Sequence, residues 1–335
     1  MHFEEFKNAI NKGPLIFSKE LNETVLAVFK KFFVTDRSLV IFSSSGTTGA
    51  KKLICCFKED LLNVSERSCR HFGIIKDDIY ADPFNGLYVA KLLIFGRAYV
   101  SGCKVVSYSG NWNPANFYKF LIEQKVSVTS LVPTQLFDLA TLKVSPPKSL
   151  KLVFVSGGTV DEQVTSNLQK LGWPIIETFG CAETLGMFAV KKEDKFEVFR
   201  PNSLKQVGDY MAVSGEGLAR LIICNGQANL TQDWLLLYEK FRVLSSKSFM
   251  FFGRGDEFLK IKGYLINVHE IFELKKGFDQ LIIELLPDPR LGTKIRLVSS
   301  SPQAAKDAMR RLVSKYHFLH DAIEIRERES LDPAN

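Results

Sequence analysis

The chain has 335 residues, 46% hydrophobic and 24% charged, with a formal charge of +7; these values exclude a disordered or low-complexity chain and allow one large domain with a smaller one attached. The opening MHFEEFKNAI has no cationic start leading into an apolar core, so no secretory signal is read there. Lys91 and Arg97 break the most apolar stretch, Leu87 to Val100, short of the ~20 apolar residues of a membrane span, and a soluble, cytoplasmic protein is expected.

From Ser38 onward short β-rich runs alternate with helical patterns, the rhythm of an α/β fold with parallel strands. SLVIF (38–42) and KLICCF (52–57) read as strands around a Gly-rich loop. A helix over about 60–72, strand CKVVSY and a helix opening at Asn113-Pro114 follow, Asn113 as N-cap and Pro114 at the first helical position. Then come strand SVTSLV, helix TQLFDLATL, strand LKLVFVS, a helix over about 160–171 and strand PIIETF. Beyond Gly186 short strands (EVF, ARLIIC, SFMFFG) predict a β-rich subdomain. The last 80 residues form a separate pattern: EFLKIKG, a helix over Asn267 to Lys275, strands LIIELL and KIRLVSS, a helix from Pro302 to Lys315, and strand AIEIRE. The domains are therefore expected at 1–252 and 253–335, with a glycine-containing hinge between them.

Cys55, Cys56, Cys69, Cys103, Cys181 and Cys224 form no C-x-x-C pair and have no histidine at ligand spacing, so they read as reduced core thiols. The positive charge suits anionic ligands. No dense basic tract with interleaved aromatics exists, which favours nucleotide or CoA phosphates over nucleic acid.

SSSGTTGAKK (43–52) carries the strongest chemical signal: hydroxyls and two glycines whose backbone N–H groups can surround a polyphosphate. It is not a Walker A loop, because no G-x-x-x-x-G-K-[ST] aligns and a strand follows. A plain Ser/Gly/Thr turn is the bland alternative. The loop resembles the phosphate-binding signature S-G-T-T-G-x-P-K of the adenylate-forming (acyl-CoA synthetase-like) superfamily, matched by Ser45, Gly46, Thr47, Thr48, Gly49 and Lys52, with Lys51 in place of proline. Further matches follow in the family's order. VSGG (155–158) looks like the glycine pair along the adenine, and ETFGCAET (177–184) is similar to the Y-G-x-T-E motif. FGRGDEFLKIKG (252–263) is similar to the hinge motif G-R-x-D-D-x-I-K-x-x-G. SLVPTQLFDLA (130–140) looks like the stretch lining the acyl pocket and resembles o-succinylbenzoate–CoA ligases of menaquinone biosynthesis in particular, although a lone apolar strand and helix is also plain core.

The resemblance implies the adenylate-forming fold: a large αβ domain with a β-rich subdomain and a small C-terminal α+β domain. It also implies an acid–thiol ligase using ATP, Mg²⁺ and CoA, acting on a small-molecule carboxylic acid, with oligomeric state left open. By it, the nucleotide lies on Ser44, Ser45, Gly46, Thr47, Thr48, Gly49, Lys52, Gly157, Gly158, Thr159, Thr178, Phe179, Gly180, Glu183, Glu239 and Arg254. Phe179 would stack on adenine, Glu183 would hold Mg²⁺, Arg254 would contact the ribose, Asp256 would be the hinge and Gly263 would line the thiol tunnel. Thr47, Lys52, Glu183, Asp256 and Gly263 are the expected catalytic set. Glu239, fourteen residues before Gly253 (253 − 239 = 14), stands where the family's ribose-binding aspartate falls.

Three departures matter. Ala182 replaces a threonine whose hydroxyl would bond the α-phosphate, with Thr184 close by. The leader before the phosphate loop, about forty residues, is shorter than the family's, implying a minimal scaffold. No lysine follows Lys315, where the family's terminal lysine would stabilise the α-phosphate; loss of one such contact costs ~10²–10³ in rate. An acyl-AMP ligase serving a carrier protein, and a nucleotide- or acyl-binding protein without turnover, therefore stay open beside the CoA ligase.

Overall fold

The structure, a computed structural model, describes residues 1–12, 14–18, 38–44, 52–158, 160–224, 227–254, 258–262, 264–267, 271–272, 278 and 281–327. At 253–254, 258–260, 264–265 and 267 it describes the backbone alone.

The chain opens with a helix, Phe3–Ile10, then strands β1 (Leu15–Phe17), β2 (Leu39–Ser44) and β3 (Lys52–Phe57). β2 and β3 pair antiparallel, with Ser44 opposite Lys52 at the open end. Residues 45–51 join these two partners. β3 leads directly into the helix Lys58–Phe72, closed by Gly73 in the left-handed region at φ +66°.

Parallel strands follow: β4 (Ile79–Asp82), β5 (Lys104–Ser107), β6 (Val128–Leu131), β7 (Leu152–Val155) and β8 (Ile175–Cys181). β6 and β7 are buried at every residue, because helices cover both faces and the strand needs no polar side. The apolar stretch around residues 87–100 is one of those helices, Val89–Ser101. Its interior cations each have a partner: Lys91 pairs with the wholly buried Asp82 at 2.9 Å, and Arg97 Nη1 donates to Tyr80 Oη at 3.0 Å, while Arg97 Nε has none among the described residues. The predicted helix at Asn113-Pro114 forms as Pro114–Glu123, and Asn113 Oδ1 accepts the Asn116 N–H.

At β8 the connections turn into hairpins: β9 (Gly186–Lys192), β10 (Lys195–Val198), β11 (Ser203–Val207), β12 (Tyr210–Ser214), β13 (Leu221–Cys224), β14 (Gln227–Leu230), β15 (Leu235–Leu237), β16 (Glu239–Ser245) and β17 (Ser248–Arg254). The resulting nine-stranded sheet has the order β16-β17-β10-β9-β8-β7-β6-β4-β5, parallel from β8 to β5 and antiparallel from β8 to β16. A five-stranded sheet, β1-β2-β3-β13-β14, stands beside it.

The remaining strands are β18 (Phe258–Ile261), β19 (Tyr264–Asn267), β20 (Ile282–Asp288), β21 (Gly292–Ser299) and β22 (Ile323–Glu327), with the helix Pro302–Lys315 before β22. Their apolar residues, Ile261, Ile266, Ile295, Leu297 and Leu312 among them, form a cluster of their own. Residue 267 differs from the expected helix start, since Asn267 pairs with Phe258 and closes the β18–β19 ribbon. Residues 271–272 are helical as expected, while 268–270 and 273–277 lie outside the described residues. This part of the chain meets the rest through a two-pronged pair: Arg290 Nε and Nη2 donate to the two Asp138 carboxylate oxygens at 2.6 and 3.2 Å. Trp112 Nε1 donates to the same carboxylate at 2.9 Å.

Candidate active site

In an open α/β sheet, ligands collect beyond the carboxyl ends of the parallel strands, where loops and helix starts leave a crevice. Gly157 and Gly158 follow β7 at that edge, and Thr178, Phe179 and Gly180 end β8 beside them, with Val155 registered on Glu177. Thr178 Oγ1 donates to the Val155 carbonyl at 3.3 Å, tying the two strand ends together. Gly157 has φ +86°, so a side chain there would be strained whatever the space.

Two sheets meet at Glu183. The Ala219 N–H donates to the Glu183 carbonyl at 2.8 Å, and the next amide, Arg220 N–H, donates to Cys55 of β3 at 2.7 Å. Those two bonds carry the β8–β9 turn up to the open end of β3. There Lys52 Nζ and Glu183 Oε1 form an ion pair at 3.0 Å, each side chain 16% exposed, across 131 positions of sequence.

The turn is held tightly. A Cβ on Gly180 would lie 2.1 Å from the Gly186 carbonyl oxygen, so only glycine fits this hairpin neck. Gly180→Ala is expected to cost about 1–3 kcal/mol, the usual penalty of forcing atoms into a packed site, read as a lower urea midpoint. Thr184 is wholly buried, and its hydroxyl accepts the Cys181 N–H at 3.0 Å and donates to the Gly186 carbonyl at 2.9 Å. It therefore does not replace the hydroxyl missing at position 182, and Ala182 itself packs into the core with Leu185.

Phe179 is half-buried, ringed by Phe188, Phe196, Phe241, Phe249 and Phe251 at centroid distances of 5.1–5.8 Å. Three of these, Phe241, Phe249 and Phe251, come from β16 and β17, which draws that hairpin against the end of β8. At its near end Glu239 faces Arg254 across the ladder. Burial pushes the Cys181 thiol up, and the negative charges of Glu183 and Glu239 add to the shift. The structure thus gathers Ser44, Lys52, Gly157, Gly158, Thr178, Phe179, Gly180, Glu183 and Glu239, with the backbone of Arg254. Ser45, Gly46, Thr47, Thr48, Gly49, Thr159, Asp256 and Gly263 lie outside the described residues.

A half-buried carboxylate paired with an ammonium group is a fitting oxygen donor for a hard divalent cation, which takes the rest of its shell from phosphates and water. Arg200 is a residue that sequence reasoning missed. It is 2% exposed and grips the Thr184 carbonyl from beneath, and no local signal in FRPN distinguishes it from a surface arginine.

A family model for AMP-binding enzymes matches residues 9–211, more than half of the chain. The chain belongs to the AMP-binding enzyme family. A curated relative, the 2-succinylbenzoate–CoA ligase of Enterococcus faecalis (strain ATCC 700802 / V583), is 26% identical over 157 residues, covering 46% of this chain and 32% of the relative. Among solved structures, an o-succinylbenzoate CoA synthetase from Bacillus subtilis bound to a product analogue is 16% identical with a TM-score of 0.66, over 78% of this chain and 59% of that one. The same enzyme in complex with ATP and magnesium ion gives 16% and 0.61, over 86% and 66%. A malonyl-CoA ligase with methylmalonyl-CoA and AMP bound gives 16% and 0.66, over 87% and 71%. The chain thus spans about a third of the curated relative and less than two thirds of the first structure. These likenesses establish the adenylate-forming fold, α/β with its β-rich subdomain, as the resemblance implied. Among the described residues no helix is long and apolar enough to cross a membrane.

Proposed function

We propose that this AMP-binding family member joins a carboxylic acid to AMP and then to the thiol of CoA. The observation that carries the reading is the Lys52–Glu183 pair at 3.0 Å, which brings a phosphate-loop lysine to a candidate metal carboxylate from a distant motif. In the first step a carboxylate oxygen of the acid bonds to the α-phosphorus of ATP as the bond to the β-phosphate oxygen breaks and pyrophosphate leaves. In the second the thiol sulfur, having lost its proton, bonds to the acyl carbon and AMP leaves with the electron pair.

In this scheme Lys52 turns from Glu183 to the leaving phosphates, and Glu183 holds Mg²⁺. The metal, when bound, offsets the triphosphate charge. Gly157 and Gly158 offer flat backbone to the adenine beside Phe179, and Glu239 with Arg254 takes the ribose. Residues 1–252 act as one domain and 253–335 as the other, with Asp256 as hinge and Gly263 at the thiol path, positions for which the motif match is the support.

The acid we favour is o-succinylbenzoate, supported by SLVPTQL at 130–136 and by the Enterococcus relative. A second reading, nucleotide binding without turnover, is favoured by Ala182, which leaves the α-phosphate one hydroxyl short. Release of AMP is to be measured over a panel of carboxylic acids with Mg·ATP, with and without CoA. Acid-dependent AMP release that rises with CoA, and is greatest with o-succinylbenzoate, is expected. Release without response to CoA would assign a carrier-protein acceptor, and Mg·ATP binding with no release from any acid would sink the ligase reading.

A further inference from the structure

We infer that Arg200 is a positioning residue for the metal carboxylate, acting through the Thr184 carbonyl; the inference rests on the ligase reading above. Arg200 follows β10 and lies under the β8–β9 turn, 2% exposed, with Nη2 donating to Thr184 O at 2.6 Å. Its Nε and Nη1 have no hydrogen-bond partner among the described residues. Burial pulls the group down to about 10, partly offset by the nearby Glu216 carboxylate, so it stays charged at neutral pH.

Stability alone does not explain this arginine. A buried charge holding few partners costs several kcal/mol, and an apolar chain of similar volume over Phe188, whose ring lies 5.9 Å from Cζ, would be cheaper. What the guanidinium supplies is one short charged bond to the backbone one residue beyond Glu183. The backbone there needs holding: Leu185 has φ +49° and Gly186 φ +76°, a run that relaxes if its carbonyls lose their donors. The cradle is also cut to the guanidinium, since a Cβ on Gly217 would come within 3.0 Å of Nη1 and 2.7 Å of Val64 Cγ1. Three contacts thus converge on the turn: the Ala219 amide on Glu183 O, the Thr184 hydroxyl within it, and Arg200 below. Only Arg200 brings charge, and charge matters where a carboxylate exchanges an ammonium partner for a divalent ion.

The test compares wild type, Arg200→Lys and Arg200→Met by Mg²⁺ titration of acid-dependent AMP release, with KM for the acid and melting temperature measured alongside. The Mg²⁺ concentration for half-maximal rate is expected to rise about tenfold in Arg200→Met and about threefold in Arg200→Lys, with KM for the acid unmoved. A merely structural role would lower the melting temperature and leave the Mg²⁺ dependence alone. A folded Arg200→Met with wild-type Mg²⁺ dependence overturns the inference, as does an equal rise in KM for the acid. Should Arg200→Met fail to fold, Arg200→Lys against wild type decides by the same threefold criterion. If wild type releases no AMP, the ligase reading has failed by itself, and Mg·ATP calorimetry on the same variants then judges Arg200 by the same ordering.

Discussion

Glu183→Gln is expected to slow acid-dependent AMP release by ~10²–10³-fold, the usual loss when one preorganised electrostatic contact at a reacting phosphate is removed. Gln keeps the side chain's size, so packing around the β8–β9 turn survives. Two things change. The site loses the anionic oxygen proposed to hold the metal, and Lys52, 16% exposed, keeps its charge without its carboxylate partner. The second change predicts a loss of about 1–2 kcal/mol in folding stability in the same variant. Lys52→Met should show the mirror image: a similar stability loss, because a carboxylate is now stranded, and a rate loss through the leaving phosphates. Because the two side chains are paired and are proposed to act on one ligand, the double variant should be far less impaired than the product of the single effects. Steady-state AMP release and urea titration on the three variants check this. Full rates in Glu183→Gln, or strict multiplicativity across the pair, would remove the basis for treating positions 52 and 183 as one site.

Phe249→Ala is expected to destabilise the protein by about 3–5 kcal/mol, the cost of deleting a buried aromatic ring. Against a total stability of ~5–15 kcal/mol that is a large fraction. Phe249 is wholly buried on β17, stacked on Phe196 at 5.4 Å and Phe188 at 6.1 Å, and edge-on to Phe179 at 5.2 Å. Its ring backs Phe179, so the cavity would also free the ring proposed to lie beside the adenine. KM for ATP should rise in this variant more than KM for the acid. Urea denaturation with ATP and acid titrations measures both effects, and a stability loss below about 1 kcal/mol would mean that the cluster collapses to fill the gap.

Strands such as LVIF and LVFV were legible because each is a short, continuous apolar run between turn residues, whereas β4 was not read from the sequence. The helix start at Asn113-Pro114 was legible because capping is local chemistry. The order of the nucleotide motifs could likewise be read along the chain. The helix Val89–Ser101 was harder, since an all-round apolar helix shows no amphipathic period, and only its burial against the helix Lys58–Phe72 reveals what it is. The start of the expected helix, Asn267, went to a strand for a similar reason: pairing with Phe258 is a tertiary choice.

By itself, the amino-acid sequence determined the fold class, the family, and the residue types placed at each motif, all of which depend on near neighbours and spacing. Only the tertiary structure decided that Lys52 reaches Glu183, that Glu239 faces Arg254 across a ladder, and that a buried Arg200 props the β8–β9 turn. The physical reason is that each of these contacts depends on how two sheets stack and which strands lie side by side. Such geometry follows from packing of the whole core, and no local stretch encodes it.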